Sequence, residues 1–136
     1  CVGTLEAYRP LADDVRANAA AAAFRDARFP PVTRDELPDL AFEVSVLSAL
    51  EPLEVASDAE LAGVLRPGED GVCVERGGRR ATFLPQGWGD LPEPELFLAH
   101  LRAKAGLGPA EWSSRMRWWR YGVRKFGPVV PPPSAP

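Results

Sequence analysis

The chain begins with a cysteine, and a thiol becomes a nucleophile when a base, a cation or a helix N-terminus lowers its pKa. Cys1 precedes Val2, Gly3 and Thr4, and the glycine allows backbone or ligand to approach closely beside the thiol. The alternative interpretation is a small apolar side chain buried at the start of a strand. Cys1 is therefore the first candidate catalytic residue.

Glu43 is the second candidate, because it lies among apolar residues in a stretch with strand periodicity over residues 42–48. Burying a carboxylate without a partner raises its pKa or costs stability, so its presence there calls for an explanation. It is a candidate general base or metal ligand. The alternative is the solvated outer face of an antiparallel sheet.

Two further side chains with possible chemistry have simpler structural interpretations. His100 is the only conventional base for a Cys–His dyad, but it lies in a predicted helix and nothing in the sequence places it near Cys1. Cys73 lies between two valines, which is typical of an inert packing residue.

These candidates are positioned by a mixture of helices and strands. Helical spacing and capping signals predict helices over residues 10–28, 57–65 and 92–105. Residues 1–7 predict a strand because Val2, Thr4 and Leu5 favour extended backbone.

The clearest strand pair is a hairpin around Gly77-Gly78, the residues that a two-residue primed turn requires. The predicted register places Glu75 opposite Arg80 and Val72 opposite Phe83. One face is then apolar, and the other mixes polar groups; Cys73, Glu75, Arg80 and Thr82 form it. Mixed elements with an antiparallel pair predict the α+β class.

Residues 115–125 concentrate basic and aromatic side chains without an acid. The run suits a stacking platform for single-stranded nucleic acid, or an edge strand with cations outward. The net charge of −3 and the pI near 5.2 argue against a dedicated nucleic-acid binder. An adaptor surface is the remaining interpretation, because tryptophans anchor interfaces.

Composition restricts the class of protein further. A length of 136 residues predicts one domain, over residues 1–127, and the proline-rich residues 128–136 predict a disordered tail. The longest apolar run, residues 19–24, is too short for a membrane span, and no secretory signal opens the sequence, so we expect a cytoplasmic protein. Two cysteines and one histidine cannot form a four-ligand structural zinc site without carboxylate help, and no cofactor motif is present.

Several segments resemble motifs of the AMMECR domain family, whose bacterial and archaeal members are called AmmeMemoRadiSam system protein A. Residues 1–4 match the end of its L-R-G-C-[IV]-G-T motif. The other matches are Arg28-Phe29-Pro30-Pro31-Val32, Glu43-Val44-Ser45-Val46-Leu47, Thr82-Phe83-Leu84-Pro85-Gln86 with Trp88, and Lys104-Ala105-Gly106-Leu107.

The chain also departs from the family pattern. The upstream L-R-G and the elements that precede it in the family are missing, so the N-terminal part of the domain is expected to be absent. Gly89 stands where the family commonly has an acid after the tryptophan.

The resemblance implies an α+β fold, an antiparallel sheet with surrounding helices, and a cleft near the cysteine motif. It also implies a Memo-like protein and a radical SAM protein as partners, but it supplies no established reaction. The leading hypothesis is therefore a protein that binds or modifies a small molecule or peptide in this cleft. The residues expected to line it are Cys1, Thr4, Glu43, Ser45, Thr82 and Trp88.

Within that hypothesis, Cys1 is the thiolate nucleophile, Glu43 is the base or orienting carboxylate, and Thr4 and Thr82 supply hydroxyl hydrogen bonds. A second hypothesis is an N-terminal nucleophile hydrolase, in which cleavage before Cys1 frees an α-amino group that activates the thiol. The third is a non-catalytic adaptor acting through residues 115–125.

Overall fold

The structure of the protein is a computed structural model that describes residues 2–130. The chain divides into two compact units. The first contains the residues up to Val46 and those from Lys125 onward, and the second contains Leu47–Arg124. In chain order the helices are α1 Leu11–Phe24, α2 Asp58–Val64 and α3 Pro94–Lys104; the strands are β1 Phe42–Leu47, β2 Glu51–Leu53, β3 Gly71–Arg76, β4 Arg79–Phe83, β5 Arg117–Tyr121 and β6 Val123–Val129.

Helix α1 dominates the first unit and follows Pro10, as predicted from the fixed φ of proline. It ends at Phe24, four residues before the predicted end at residue 28. A short 3-10 helix, Arg34–Asp39, follows, and β1 then pairs with β6 in a two-stranded sheet. The prediction of a strand over residues 42–48 is confirmed.

The predicted strand over residues 1–7 is wrong for the described residues 2–7, which have no strand structure. Extended propensity forms a strand only where a neighbouring strand supplies hydrogen bonds. Here Thr4 instead uses its side chain to bond to α1, where Asp14 accepts its hydroxyl proton at 3.0 Å.

The second unit is built on a four-stranded antiparallel sheet in the order β2-β5-β3-β4. The predicted hairpin is confirmed with its register, since Glu75 pairs with Arg80 and Val72 with Phe83. Gly77 and Gly78 have φ values of 56° and 80°, which explains why the turn requires glycine.

Strand β5 lies inside this sheet, so the prediction of an edge strand for the aromatic-basic run is wrong for residues 117–121. Trp118 pairs with Leu53 of β2 on one side and with Val74 of β3 on the other. Its side chain is buried in the core, so β5 is held by backbone pairing on both edges as well as by packing.

The core lies against one face of this sheet, where α3 packs with α2. Trp88 stacks on Phe97 of α3 with ring centroids 3.8 Å apart. Among the described residues, every buried one belongs to the second unit, and residues 2–46 and 125–130 contain none. The buried apolar residues at the centre are Leu61, Val72, Val74, Phe97, Leu98, Leu101 and Trp118.

The predicted cap of α2 is confirmed with one difference. The Ser57 side chain accepts a hydrogen bond from the backbone N–H of Glu60. The Glu60 carboxylate accepts from the N–H of Ala56, one residue before the expected cap position. Helix α3 ends before Gly106, whose φ of 75° is the left-handed conformation typical of a helix stop.

The boundary predicted for the C-terminal tail falls inside a strand, because β6 continues to Val129. Residues 131–136 lie outside the described residues, so disorder there stays a prediction. No helix among the described residues is long and apolar enough to cross a bilayer.

The space around Gly71 and Gly63 predicts opposite effects of replacing each with alanine. A Cβ at Gly71 would overlap the aromatic ring of Tyr121, so Gly71→Ala should lower the free energy of unfolding by about 1–3 kcal/mol. At Gly63 in α2 a Cβ meets no atom within 4 Å, so Gly63→Ala should raise it by roughly 0.5–1 kcal/mol.

Denaturant unfolding followed by tryptophan fluorescence measures both changes. A Gly71→Ala variant as stable as wild type would show that Tyr121 does not pack against β3 as described.

Candidate functional site

Thr4 belongs to a closed network of polar side chains in the first unit. Its hydroxyl donates to Asp14 at 3.0 Å and accepts from Asn18 at 3.1 Å, while Asn18 also donates to Asp14 at 3.1 Å. Arg9 completes the network with a 2.9 Å ion pair to Asp14. Asp14 and Asn18 are one turn apart on α1, so the helix presents both to the same partner. The segment after Cys1 is therefore tied to α1 at Thr4.

Glu43 and Ser45 lie on β1, two residues apart, and alternation along the strand places them on one face. Glu43 forms a 3.0 Å ion pair with Lys125 of β6, and its side chain remains 41% exposed. Ser45 is half-buried. The ion pair with Lys125 holds the carboxylate in an accessible position, which fits an orienting or base role as well as the solvated outer face.

Thr82 lies on β4 in the second unit, on the polar face of the hairpin. Its hydroxyl donates to the carbonyl of Val72 at 2.7 Å and lies 2.6 Å from the hydroxyl of Tyr121. Tyr121 is also 3.2 Å from the carbonyl of Phe83, which it can reach as donor. Burial raises the pKa of Tyr121 above its ordinary value of 10.0, and the hydrogen bond with Thr82 opposes part of that rise. Thr82 thus keeps a buried tyrosine hydroxyl satisfied.

Trp88 is 3% exposed and its ring is stacked on Phe97. Its indole N–H donates to the carbonyl of Asp70 at 2.8 Å. Both its apolar surface and its only donor therefore serve the core of the second unit.

Cys73 fits its structural interpretation, and the roles proposed for His100 stay predictions. Cys73 is fully buried, and Arg80 donates to its sulfur at 3.3 Å. His100 is exposed on α3.

Most of the aromatic-basic run is engaged in structural contacts. Arg120 donates to both carboxylate oxygens of Glu51 at 3.1 Å, and these hydrogen bonds lower the pKa of Glu51. The guanidinium groups of Arg80 and Arg117 lie 5.4 and 5.8 Å from the ring centroid of Trp119. A contact surface for partners or nucleic acid in this run stays a prediction.

The predicted site residues are therefore distributed over both units. Thr4, Glu43 and Ser45 belong to the first, and Thr82 and Trp88 belong to the second. Cys1 lies outside the described residues. Residues 2–130 contain no group of three or more His, Cys, Asp or Glu side chains arranged to hold a metal ion.

The sequence analysis did not single out Asp14 or Asn18 as part of a site. Asp14 and Asn18 carry the i, i+4 spacing of neighbours on one helix face, which is a usable signal. Tyr121 belongs to the aromatic-basic run named there as a candidate contact surface, but its contact with Thr82 had no local signal, because it depends on the pairing of distant strands.

Comparison with known proteins defines the family. Residues 1–126, nearly the whole chain, match the model of the protein family AMMECR1. The chain belongs to the AMMECR1 family.

Relatives in the AMMECR1 family come from archaea and bacteria. The chain is 46% identical to a protein of Methanothermobacter thermautotrophicus, with 93% of this chain and 67% of that protein covered. It is 39% identical to a protein of Thermofilum pendens, with 96% and 62% covered. A protein of Thermotoga maritima is also 39% identical, with 93% and 68% covered.

A solved structure shows the same fold. The crystal structure of the uncharacterized protein PH0010 from Pyrococcus horikoshii superposes with a TM-score of 0.84 at 32% identity. The match covers 91% of this chain and 62% of PH0010. This AMMECR1-family chain thus spans 62–68% of the length of these four proteins, and the predicted α+β class is confirmed.

The buried Tyr121 hydroxyl predicts a loss of stability in alkaline solution. Below pH 10 the tyrosine is neutral in both folded and unfolded chains. As the pH rises above the ordinary value of 10.0, the unfolded tyrosine loses its proton while the folded one keeps it. The free energy of unfolding should therefore fall with rising pH until the folded tyrosine also ionises.

Chemical denaturation of wild type and Tyr121→Phe between about pH 8 and 11, a range set by the ordinary tyrosine pKa, gives the free energy of unfolding of each protein. The effect is the difference between the two slopes of this free energy against pH. Absorbance titration in a Tyr8→Phe background reports Tyr121 ionisation directly. Parallel slopes for the two proteins, or ionisation of Tyr121 at the ordinary pH, would contradict the burial argument.

Proposed function

We propose that this AMMECR1-family protein binds or modifies a small substrate beside Cys1, with the Cys1 thiolate as nucleophile. The observation that carries the proposal is the network of Thr4, Asp14 and Asn18, which fixes the chain three residues after Cys1. A nucleophile gains most from a backbone that is held before substrate arrives. The matching of Cys1 to Thr4 with the family motif supports the same assignment.

The network gives Thr4 a positioning role. Its single proton is donated to Asp14 and one lone pair accepts from Asn18, which leaves one acceptor position for another group. Arg9 balances the Asp14 charge at 2.9 Å, so the network adds little net negative charge that would disfavour a thiolate.

Glu43 and Ser45 complete the proposal as side chains of the same unit. In this assignment Glu43 is the base or orienting carboxylate, and its ion pair with Lys125 holds it in place. Thr82 and Trp88 have partners that account for their polar groups, and a further role in substrate contact stays a prediction for them.

A timed alkylation experiment tests the nucleophile. Iodoacetamide at neutral pH should label Cys1 rapidly, while the fully buried Cys73 stays unlabelled and serves as the internal reference. Thr4→Val removes both hydrogen bonds of the Thr4 hydroxyl and should slow Cys1 labelling by at least about threefold. Peptide mapping by mass spectrometry separates the two thiols.

Thr33→Val is the matched control, because Thr33 also bonds a carboxylate in the first unit, that of Glu36 at 2.9 Å. It should leave Cys1 labelling unchanged. Labelling of Cys1 no faster than that of a Cys-Val-Gly-Thr peptide would contradict the activated thiolate. Equal rates in wild type and Thr4→Val would contradict the positioning role.

The same mass measurement addresses the N-terminal nucleophile alternative. That alternative requires a natural product of cleavage with a free α-amino group on Cys1. An intact longer product from native expression would reject it and leave the thiolate proposal standing.

We further propose, from family membership, that the protein acts in the cytoplasm with a Memo-like or radical SAM protein. Affinity purification of the tagged native protein should recover one of these two partners. Recovery should persist in a Cys1→Ser variant, because the substitution changes one atom of a small side chain. Purification without either partner, under conditions that preserve weak complexes, would contradict this proposal.

A further inference from the structure

A cavity beside the Gly77-Gly78 turn brings together basic side chains from three separate segments of the second unit. Its volume is about 330 Å³. Arg76 ends β3, Arg79 begins β4, and Arg115 precedes β5. Gly77 and the buried Leu107 complete the lining.

The cavity carries excess positive charge. Arg76 is neutralised by Glu111, with a nitrogen–oxygen distance of 2.6 Å. Within residues 2–130, neither Arg79 nor Arg115 has an acidic side chain within ion-pair distance. Two guanidinium groups are thus left without a counter-charge at one concave surface.

The hairpin register makes this concentration of charge costly to the free protein. Arg76 and Arg79 occupy directly opposed positions across the turn, where like charges destabilise a strand pair. Glu111 relieves the repulsion for Arg76 alone. A bound anion would relieve it for Arg79.

Arg79 is held in place before any ligand binds. One terminal nitrogen donates to the carbonyl of Gly106 at 2.5 Å, just after the C-terminus of α3. The other N–H groups of its guanidinium remain available to a ligand. The turn that carries Arg115 is also fixed, since the backbone N–H of Arg115 donates to the Ser113 hydroxyl at 3.1 Å.

We propose that this cavity binds a small molecule through a phosphate group held by Arg79 and Arg115. Guanidinium groups match phosphate oxygens in paired, charge-assisted hydrogen bonds, and two uncompensated cations match a dianion. The volume lies at the lower end of the range for small-molecule sites, which leaves space for a sugar-sized group. The buried Leu107 supplies an apolar surface for that group. This inference uses none of the residues in the proposed function and stands independently of it.

Titration of the intact protein with ribose 5-phosphate, inorganic phosphate and ribose tests the site by calorimetry. Both phosphate compounds should bind saturably and ribose should not. Tighter binding of ribose 5-phosphate identifies a phosphate ester as the ligand class, and equal binding identifies free phosphate. The double variant Arg79→Ala/Arg115→Ala should weaken phosphate binding by at least about tenfold.

The double variant Arg16→Ala/Arg34→Ala is the matched control, because it removes the same charge from exposed positions in the first unit. It should bind phosphate as wild type does. Backbone amide shifts of Gly77 and Leu107 in wild type give a second readout that needs no variant.

The proposal would be overturned if phosphate did not bind saturably, or if wild type and Arg79→Ala/Arg115→Ala bound it with equal affinity. Phosphate-induced amide shifts that avoid the Gly77-Gly78 turn would also contradict it. Stronger binding of a single-stranded oligonucleotide through the same arginines would also overturn it, because the ligand would then be a nucleic acid.

Discussion

The second unit depends on the interactions of the Arg102 guanidinium. Arg102 is a charged residue of α3 with only 1% of its surface exposed. It pairs with Asp58, the first residue of α2, and donates to the carbonyl of Pro109 at 2.9 Å. It also lies 5.4 Å from the ring centroid of Trp118 in β5. A buried charge costs several kcal/mol unless it is paired, so these contacts of Arg102 couple α2, α3 and β5 energetically.

The contact between Arg102 and Trp118 also determines what the surrounding core must supply. Arg102 Nε and Trp118 Nε1 have no hydrogen-bond partner among the described residues, a cost that apolar packing around them must offset. Trp118 pairs with Leu53 on one side and with Val74 on the other, so cross-strand neighbours flank its side chain on the same face of the sheet. The central place of β5 therefore supports the burial of Arg102, and this burial in turn holds α2 and α3 against the sheet. The turn that carries Arg76 and Arg79 belongs to the same unit.

Local features were predictable from the sequence, and the hairpin shows why. Two consecutive glycines and the alternation on either side determine the turn and the register together, so Glu75 opposite Arg80 follows without knowledge of the rest of the chain. The start of α1 at Pro10 and the Ser57 cap are equally local. The prediction of a strand over residues 1–7 failed because extended propensity does not supply a neighbouring strand to pair with.

Contacts between distant segments were not predictable in this way. The position of β5 between β2 and β3 leaves no mark in its own residues, because a buried interior strand and an apolar-inward edge strand show the same alternation. For the same reason the contact of Thr82 with Tyr121 and the pairing of Glu43 with Lys125 emerge only in three dimensions. The arginine cavity did leave a signal in the sequence, since the predicted hairpin register places Arg76 opposite Arg79.

The hydrogen-bonding capacity that the fold leaves unused separates structural residues from residues able to bind a ligand. Trp88 has one donor, and the carbonyl of Asp70 takes it. Thr82 has one proton, and the carbonyl of Val72 takes it, so a substrate at either position would have to displace an existing bond at no net gain. Arg79 differs because the Gly106 carbonyl uses one nitrogen to fix the group while other donors remain. Thr4 lies between these cases, since it is anchored yet keeps one acceptor position, and this fits a residue that holds the Cys1 segment in place more than one that grips a substrate.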